Sequence, residues 1–338
     1  MQVTYGGGPR IRSEPSSACF ICGLGGEMLY EGLRDYLAGT QGEWNIRKCV
    51  NQNCSLLWLD PEPLEAEMRK AYEGYHTHTA SRSHNLAELW FSFLNLICKL
   101  ISRTTGLISG LGAQRRKLKR MYVGTEKPGK LLEVGCGGGR FLNRMRKAGW
   151  AVEGVEFDPK ATARVRERFG INIRTGNLAD MHYPDEIFDV VTMSQVIEHI
   201  HDPIALLREC WRVLRSGGRL IITTPNALSL AHRNYGRCWR GLEPPRHIHI
   251  FSPAALKKCA QISGFGEIQV GTSSAESAGI YRTSDEIKEM EDSEQRKKST
   301  SIRILKSWLM QHYEFYKSKE NPELGQDIVL IAKKLDKT

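Results

Sequence analysis

A glycine cluster flanked by carboxylates is the part of this chain whose residue types point most directly to chemistry. Residues 131–142 read LLEVGCGGGRFL, an apolar strand that runs into glycines and then into a segment compatible with a helix. Glycines let the backbone turn sharply and approach a ligand closely, and the helix that follows offers its free N–H groups. Arg140 stands where the dinucleotide fingerprint needs glycine, and the Gly-Lys-Ser/Thr of a P-loop is absent from this sequence. The loop is therefore predicted to bind a ligand of another class.

A second acidic position follows at the spacing that nucleotide-binding sheets use for a ribose. The predicted strand 152–156 ends in Glu156, 21 positions after Gly135. Such sheets place there the acid that hydrogen-bonds ribose hydroxyls. Asp158 competes for the role, but Glu156 stands at the end of the strand and is the residue we predict.

The downstream segments repeat the pattern of an apolar strand followed by a polar turn. They are residues 171–175 before Gly176-Asn177-Leu178, residues 188–193 before SQVIEHI, and residues 220–224 after the turn RSGGR. Together with EVGCGGG they resemble class I S-adenosylmethionine-dependent methyltransferases with a type 11/23-like core, over residues 130–271. The resemblance implies an α/β fold, a doubly wound seven-stranded Rossmann-like sheet with an antiparallel last strand.

The resemblance also implies a site for S-adenosyl-L-methionine as cofactor. The residues that match its binding motifs are Glu133, Gly135, Gly137, Gly139, Glu156, Asn177, Leu178 and Ser194. Asn177 replaces the aspartate usual in the family, yet an amide can still hydrogen-bond a base. The segment ending in Glu198-His199 is similar to the E-x-x-E-H of quinone-type O-methyltransferases, which can hold a divalent ion. Gln195 takes the place of the first acid, so a catalytic metal is not predicted.

Histidines provide the candidates for a general base. A hydroxyl nucleophile benefits from a base, and histidine suits this role near neutral pH. The candidates are His199, His201, His247 and His249. The segment PPRHIHIFSP around His247 resembles the family, and we predict His247 as the base, with His199 second. The alternatives are that His199 bonds only backbone near the cofactor and that His247 only locks its loop.

Four cysteines near the start of the chain have the spacing of metal ligands. Cys19 and Cys22 form a C-x2-C pair, Cys49 and Cys54 form a C-x4-C pair, and 26 residues separate the pairs. This arrangement suits a closed, tetrahedral structural zinc site, and it resembles the zinc ribbon that precedes many methyltransferases of this group. About 45 residues build little core, and a structural zinc contributes roughly 10–16 kcal/mol. We therefore expect Zn²⁺ to be needed for folding; the alternative is buried cysteines in a small β-module.

The elements that must position these residues divide into four predicted parts. These are a flexible tail over 1–17, a zinc-ribbon-like module over 18–65, a helical linker or cap over 66–122, and a methyltransferase domain over 123–338. Residues 272–325 interrupt the last part as an insertion: 273–301 is polar and predicts a mobile stretch, and 302–316 predicts an amphipathic helix. We expect such an insertion to form a lid or a substrate wall, with a dimer contact as the alternative.

An apolar segment and a basic run lie in the predicted linker. Residues 86–101 would span about 24 Å as a helix, short of the ~30 Å of a bilayer core. The basic run over 115–120 follows it. The two alternatives are peripheral contact with an anionic membrane surface and a helix that covers the site mouth or the sheet edge.

Composition sets the remaining expectations. The 338 residues carry 41% hydrophobic and 25% charged residues and a net charge of +10. Residues 1–17 show no secretory signal, so we expect a cytoplasmic protein whose nine cysteines are reduced or bind metal. The predicted function is O-methylation of a small molecule such as a sugar or glycolipid precursor. The alternatives are a sugar C-methyltransferase, a cofactor-binding scaffold without turnover, and a zinc-ribbon nucleic-acid-binding protein. Nucleic acid is disfavoured because aromatics do not interleave the basic run.

Overall fold

The computed structural model describes residues 11–72, 110–124, 127–292 and 300–336. The predicted apolar helix over 86–101 lies outside these residues, as does most of the predicted tail. The strands are β1 Ser13–Glu14, β2 Gly26–Leu33, β3 Trp44–Cys49, β4 Leu57–Leu59, β5 Glu62–Pro63, β6 Lys130–Val134, β7 Ala151–Glu156, β8 Ile173–Thr175, β9 Phe188–Ser194, β10 Leu214–Pro225, β11 His249–Ile250, β12 Gly266–Ser273 and β13 Asp327–Lys333. The α-helices are α1 Met68–Tyr72, α2 Leu111–Lys119, α3 Arg140–Lys147, α4 Pro159–Phe169, α5 Pro203–Val213, α6 Leu230–Tyr235, α7 Pro253–Ile262, α8 Ser277–Glu291 and α9 Thr300–Glu320.

The chain forms two compact units, each assembled from three segments. The cysteine unit takes its described residues from 1–114, 226–250 and 273–326, and the sheet unit from 115–225, 251–272 and 327–338. The sequence boundaries place residues 226–250 and 273–326 in the 123–338 domain. In the structure those two segments cluster with the N-terminal residues instead.

The sheet unit contains a seven-stranded sheet in the order β12-β13-β10-β9-β6-β7-β8. Strand β6 pairs parallel with both β7 and β9, and β13 runs antiparallel to β10. This confirms the predicted α/β fold with an antiparallel last strand. The chain builds outward from β6 to β8, then returns to β9 on the other side of β6. The carboxyl ends of β6 and β9 therefore flank the point where strand order reverses, which is where open α/β sheets bind ligands.

The core of the sheet unit depends on a close approach between helix α3 and the sheet. Leu131, Leu142 and Ile173 are fully buried in one apolar cluster. A Cβ added to Gly154, in the middle of β7, would lie 2.7 Å from Cδ1 of Leu142. Glycine at this position lets the helix that follows the glycine cluster pack directly on the strand.

The cysteine unit contains a four-stranded antiparallel sheet in the order β11-β4-β3-β2, beside the small pair β1–β5. Strand β11 comes from residues almost 200 positions later than β4, and His249 lies opposite Trp58. Trp44, Trp239 and Tyr281 belong to one buried cluster. The N-terminal module thus shares a core with residues 226–250 and with helix α8, a larger core than its own 45 residues would provide.

The segment predicted as mobile contains helix α8, so that expectation was wrong over residues 277–291. The helix buries Ser277, Tyr281, Ser284 and Asp285, and three of these four are polar. A helix that buries polar side chains with local partners has no apolar periodicity for sequence analysis to detect. The helix predicted over 302–316 is confirmed as α9 and extends to Glu320.

Among the described ranges, no helix is both long enough and apolar enough to cross a bilayer.

Candidate functional site: a glycine loop and a cysteine cluster

The glycine loop joins β6 to α3 and holds three left-handed glycines. Gly135, Gly137 and Gly139 have φ of +70°, +49° and +63°, which other residues rarely adopt. A Cβ at Gly135 would overlap Val196, and one at Gly139 would lie 2.6 Å from Cγ1 of Val165. A Cβ at Gly137 would meet no atom of the described residues within 4 Å. The outer two glycines allow close packing, whereas Gly137 presents its backbone to open space.

Glu156 extends from the end of β7 to this loop. The N–H of Gly137 donates to Oε2 of Glu156 at 2.7 Å, and the N–H of Asp158 donates to Oε1 at 3.0 Å. Asp158 caps helix α4 instead, since its Oδ1 accepts from the N–H of Lys160 at 2.8 Å. The geometry therefore favours Glu156 over Asp158 as the carboxylate available to a ligand at the loop.

Glu133 is a buried carboxyl group at the carboxyl end of β6. Its Oε2 has no hydrogen-bond partner among the described residues. Burial, and then the negative charge of Glu156, raise the pKa of Glu133 well above its ordinary value. A buried oxygen without a donor is rare in folded proteins. S-adenosylmethionine carries an ammonium group and two ribose hydroxyls, which are donors of the kind that Glu133 and Glu156 can accept from. The residues present fit this group.

The remaining predicted cofactor residues lie at the ends of β8 and β9. The carbonyl of Asn177 accepts from the N–H of Asp180 at 3.2 Å and so opens a short 3-10 turn, and Leu178 is buried. Ser194 ends β9, with its Oγ 3.0 Å from Oγ1 of Thr223. All eight predicted cofactor residues thus fall in the sheet unit, at or just beyond the carboxyl ends of four parallel strands.

The Glu198-His199 segment forms a 3-10 turn after β9 in the sheet unit. Glu198 is fully buried and its Oε2 accepts from Oγ1 of Thr224 at 2.9 Å, while His199 is half-buried. Sequence analysis did not identify Thr224, although the two threonines Thr223 and Thr224 near the end of the apolar strand β10 were a signal for a polar contact there. Gln195 has φ of +54° and its amide donates to Oδ1 of Asp327 at 3.4 Å. The position that would need an acid for a metal is thus a hydrogen-bonded amide.

His247 lies in the cysteine unit, and both of its ring nitrogens face partners in that unit. Its Nδ1 is 2.8 Å from the carbonyl oxygen of Gly241, and its Nε2 is 3.3 Å from Oε2 of Glu243. These contacts favour the alternative in which His247 locks its loop. Its role as a base stays a prediction, as does that of His199.

A buried ion network, which sequence analysis did not identify, fixes the same loop. Nη1 of Arg246 donates to Oδ2 of Asp35 at 2.8 Å, and its Nε donates to Oε1 of Glu243 at 2.9 Å. Burial works to raise the pKa of Asp35, but the hydrogen bond and charge of Arg246 lower it below its ordinary value. The Pro-Pro-Arg-His segment is thereby tied to the loop that follows β2.

The four cysteines converge as their spacing predicts. The Sγ atoms of Cys19, Cys22, Cys49 and Cys54 all lie within 4.8 Å of one another. The pair Cys19–Cys54 is separated by 3.7 Å and the pair Cys22–Cys49 by 3.4 Å. A tetrahedron with Zn–S bonds of about 2.3 Å puts sulfurs about 3.8 Å apart. The cluster therefore fits a four-thiolate metal site.

Left-handed backbone shapes the two cysteine turns. Gly23 has φ of +71° directly after the first pair, and Ser55 has φ of +48° directly after the second. In the wider C-x4-C turn, the carbonyl of Asn51 accepts from the N–H of Cys54 at 2.9 Å. This extra turn accommodates the two additional residues while still bringing Cys54 to the cluster.

Comparison with known proteins finds similarity to one family over part of the chain. Residues 112–270 match the family described as a methyltransferase domain. A probable S-adenosylmethionine-dependent methyltransferase of Mycolicibacterium smegmatis is 40% identical over 102 residues, which cover 30% of this chain and 40% of that protein. A malonyl-[acyl-carrier protein] O-methyltransferase of Serratia marcescens is 29% identical over 161 residues, covering 46% of this chain and 62% of that protein. The chain therefore spans about two fifths of the first of these relatives and three fifths of the second.

A solved structure that aligns with part of this chain is an S-adenosylmethionine-dependent methyltransferase from Archaeoglobus fulgidus. It has a TM-score of 0.44 and 20% identity, and the alignment covers 66% of this chain and 94% of that one. The fold of the sheet unit rests on its own strand order and pairing.

Proposed function

We propose that this chain transfers a methyl group from S-adenosylmethionine to a small molecule. The proposal starts from the match of residues 112–270 to the family described as a methyltransferase domain. The observation that carries the proposal is the Glu156 carboxylate at the end of β7, whose Oε2 accepts from the Gly137 N–H at 2.7 Å in the loop after β6. The open space at Gly137 and the orphaned Oε2 of Glu133 support it.

The residues of the loop would bind and orient the donor. When bound, the donor supplies a methyl group activated by its sulfonium. Glu156 would accept from the ribose hydroxyls, Gly137 would present its backbone, and Asn177 would face the base. In-line attack on a carbon needs mainly positioning of the reactants. In well-oriented cases, positioning lowers the activation barrier by about 7–11 kcal/mol. The rigid strand ends that carry these residues supply that positioning.

Calorimetric titration of S-adenosylmethionine into the purified full chain tests the donor site. We expect micromolar binding that weakens about ten- to a hundredfold in Glu156→Gln, because charged acceptors strengthen hydrogen bonds. Asp158→Asn is the matched control, since its amide oxygen keeps the helix cap and its binding should be unchanged. Equal loss in both variants, or no binding by a folded wild-type sample, would contradict the donor-site assignment.

We further propose that the acceptor atom is oxygen. Two features support this: the similarity to an O-methyltransferase that acts on another substrate, and the histidines His199 and His247 as candidate bases. A sugar or glycolipid precursor is the substrate class we favour, with sugar C-methylation as the alternative. Incubation with radiolabelled donor and a panel of sugar nucleotides, lipid-linked sugars and phenolic acids discriminates these. A transferred methyl group that NMR locates on a carbon atom of the product would contradict O-methylation and support the C-methylation alternative.

We also propose that the four cysteines bind a structural zinc. The support is the mutual approach of their sulfurs, and four protein ligands would leave no open position for catalysis. We expect one zinc per chain by elemental analysis and its loss in Cys22→Ser. Cys259→Ala, at a buried cysteine of helix α7 in the sheet unit, should keep the metal. Full folding of a zinc-free sample would contradict a structural role.

A further inference from the structure

Helices α2 and α3 expose positive charge and contain no acidic residue. The sequence has no acid between Glu88 and Glu126, where α2 lies, and none between Glu133 and Glu153, where α3 lies. Seven exposed cations of these helices, including the residue directly after α2, belong to the sheet unit: Arg116, Lys117, Lys119, Arg120, Arg140, Arg144 and Lys147. We call these seven residues the basic patch.

The basic patch is continuous across the two helices. Arg140, Arg144 and Lys147 are spaced by four and three residues, which places them along one side of α3. Arg116 and Lys119 are three residues apart and share one side of α2 in the same way. Nη1 of Arg144 donates to the carbonyl oxygen of Lys119, where α2 ends. This contact joins the two rows of cations into one surface.

The charges of the basic patch are not neutralised inside the protein. Within the described ranges, no ion pair involves any of the seven residues. Nη2 of Arg120 donates to the carbonyl oxygen of Gly124 at 3.2 Å, and Arg144 also donates to a carbonyl. Because carbonyl groups carry no net charge, an anion from outside would not compete with a carboxylate of the protein.

Helix stability accounts for only part of this charge. Lys119 and Lys147 end their helices, where cations are favourable. Arg140 is the first residue of α3, where the helix dipole disfavours a cation. Arg140 and Arg144 also form a like-charge pair four residues apart, which destabilises a helix. An anionic partner gives a reason for Arg140 that the helix itself does not.

The residue types at this surface favour a lipid over a nucleic acid. None of the seven residues is aromatic, and the nearby Tyr122 and Phe141 are half-buried against the apolar cluster of the sheet unit. The basic patch therefore has no ring of its own on which a base could stack. Clusters of about four to eight basic residues are typical of proteins that bind anionic lipid headgroups.

The sequence that leads into α2 favours the same partner. Residues 86–101 are apolar apart from Glu88 and Lys99, and only residues 102–110 separate them from the start of α2. Stable binding at a membrane surface requires two signals, such as an apolar group and a basic cluster. The chain has both within a short stretch, whereas a nucleic acid would use only the basic one.

We propose that the basic patch docks on an anionic lipid surface, with its cations against the phosphates of the headgroups. The attraction is coulombic and acts over about 8–10 Å at moderate ionic strength. The patch begins at Arg140, directly after Gly139 of the glycine loop. The proposal concerns binding to the surface alone and does not depend on the methyltransferase proposal.

Vesicle co-sedimentation of the full chain tests this proposal. We expect binding to phosphatidylcholine vesicles that contain phosphatidylglycerol and none to phosphatidylcholine alone. Arg116→Gln/Lys117→Gln/Lys147→Gln should bind about a hundredfold more weakly, since each basic residue at an anionic surface contributes about fivefold.

The matched control removes the same charges from exposed positions of α5 and α7 in the same unit. Arg208→Gln/Lys257→Gln/Lys258→Gln should bind like wild type. Melting temperatures compare the folding of both variants with that of wild type. The salt dependence of wild type is a second measurement that needs no variant, because about tenfold more salt should release it from the vesicles.

Three outcomes would overturn the proposal. The first is vesicle binding that the patch variant retains in full, which would assign it to other residues. The second is an equal loss in the control variant, which would make net charge the cause. The third is a folded wild type that ignores the vesicles. If that protein binds double-stranded RNA and the patch variant does not, the basic patch is a nucleic-acid site.

Discussion

At the scale of single residues, the loop after β6 separates the roles of its glycines. Gly135 and Gly139 are required by packing against Val196 and Val165, while Gly137 alone faces open space beside the Glu156 carboxylate. The three share one backbone region but differ in what a side chain would meet. Substitutions at Gly137 can therefore separate ligand binding from folding.

Gly137→Arg is expected to abolish donor binding in a protein that still folds. The side chain would project into the space that the donor approaches, while the left-handed backbone costs about 1–2 kcal/mol. Gly170→Arg is the control, because Gly170 has φ of +61° and its Cβ also meets no described atom within 4 Å. Both variants should melt at similarly reduced temperatures, and only Gly137→Arg should lose binding by calorimetry. Retained affinity in Gly137→Arg would remove Gly137 from the site.

Glu314→Gln is expected to change how stability depends on pH. Burial raises the pKa of Glu314 from 4.5 to about 7, although hydrogen bonds from its neighbours oppose the rise. The folded protein therefore holds the proton more tightly than the unfolded chain. The resulting stabilisation is complete below pH about 4.5 and disappears as pH rises through about 7, a change of about 3 kcal/mol.

The glutamine variant lacks this dependence, so its melting temperature should exceed that of wild type at pH 8 but not at pH 4.5. Thermal melts across this range provide the measurement. Glu320→Gln, an exposed position on the same helix, should follow wild type. Parallel curves for wild type and Glu314→Gln would show that folding does not raise the pKa of Glu314.

At the scale of elements, sequence patterns predicted the parallel strands and failed where segments distant in sequence meet. Strands β6, β7, β9 and β10 are apolar runs that end in a polar turn. This local signal was sufficient to predict the positions of the glycine loop and of Glu156. The pairing of His249 with Trp58 has no local signal, because β11 has only two residues. Helix α8 was missed because it buries polar side chains. The buried network around Arg246 was missed because Asp35 lies 211 positions away.

Arg246→Ala is expected to destabilise the protein by about 3–5 kcal/mol, because it leaves the Asp35 carboxylate buried without its cation and removes one of the two arginines that pair with Glu243. Chemical denaturation measures the loss. Arg233→Ala, an exposed arginine on helix α6, should change stability by less than about 0.5 kcal/mol. A similarly small effect at Arg246 would mean that the two carboxylates are already compensated without it.

At the scale of the whole molecule, the chain passes between the two units five times. Residues 226–250 and 273–326 lie within the predicted methyltransferase domain but complete the cysteine unit, and the sheet unit resumes at β13. Neither unit is a contiguous stretch of sequence. Boundaries drawn from motifs alone therefore do not coincide with the compact bodies of the fold.

A chain truncated to residues 123–338 is expected to fold poorly even though it retains every residue proposed to bind the donor. It would expose Trp239, Ile248 and Ile250, which are buried in the cluster they share with the N-terminal strands. Soluble yield and the cooperativity of thermal unfolding measure this, with the full chain as reference. A soluble, cooperatively melting fragment that binds donor would show that the sheet unit folds independently.

This interleaving also determines the order of events during synthesis. The cysteines of residues 19–54 leave the ribosome early, but the unit that encloses them is complete only at residue 326. At about 5–20 residues per second, the intervening stretch takes roughly 15–50 s to translate. During this interval only the two cysteine turns hold the four thiols close together. Early metal capture would shield them from oxidation and hold β2, β3 and β4 ready for the strand that arrives last.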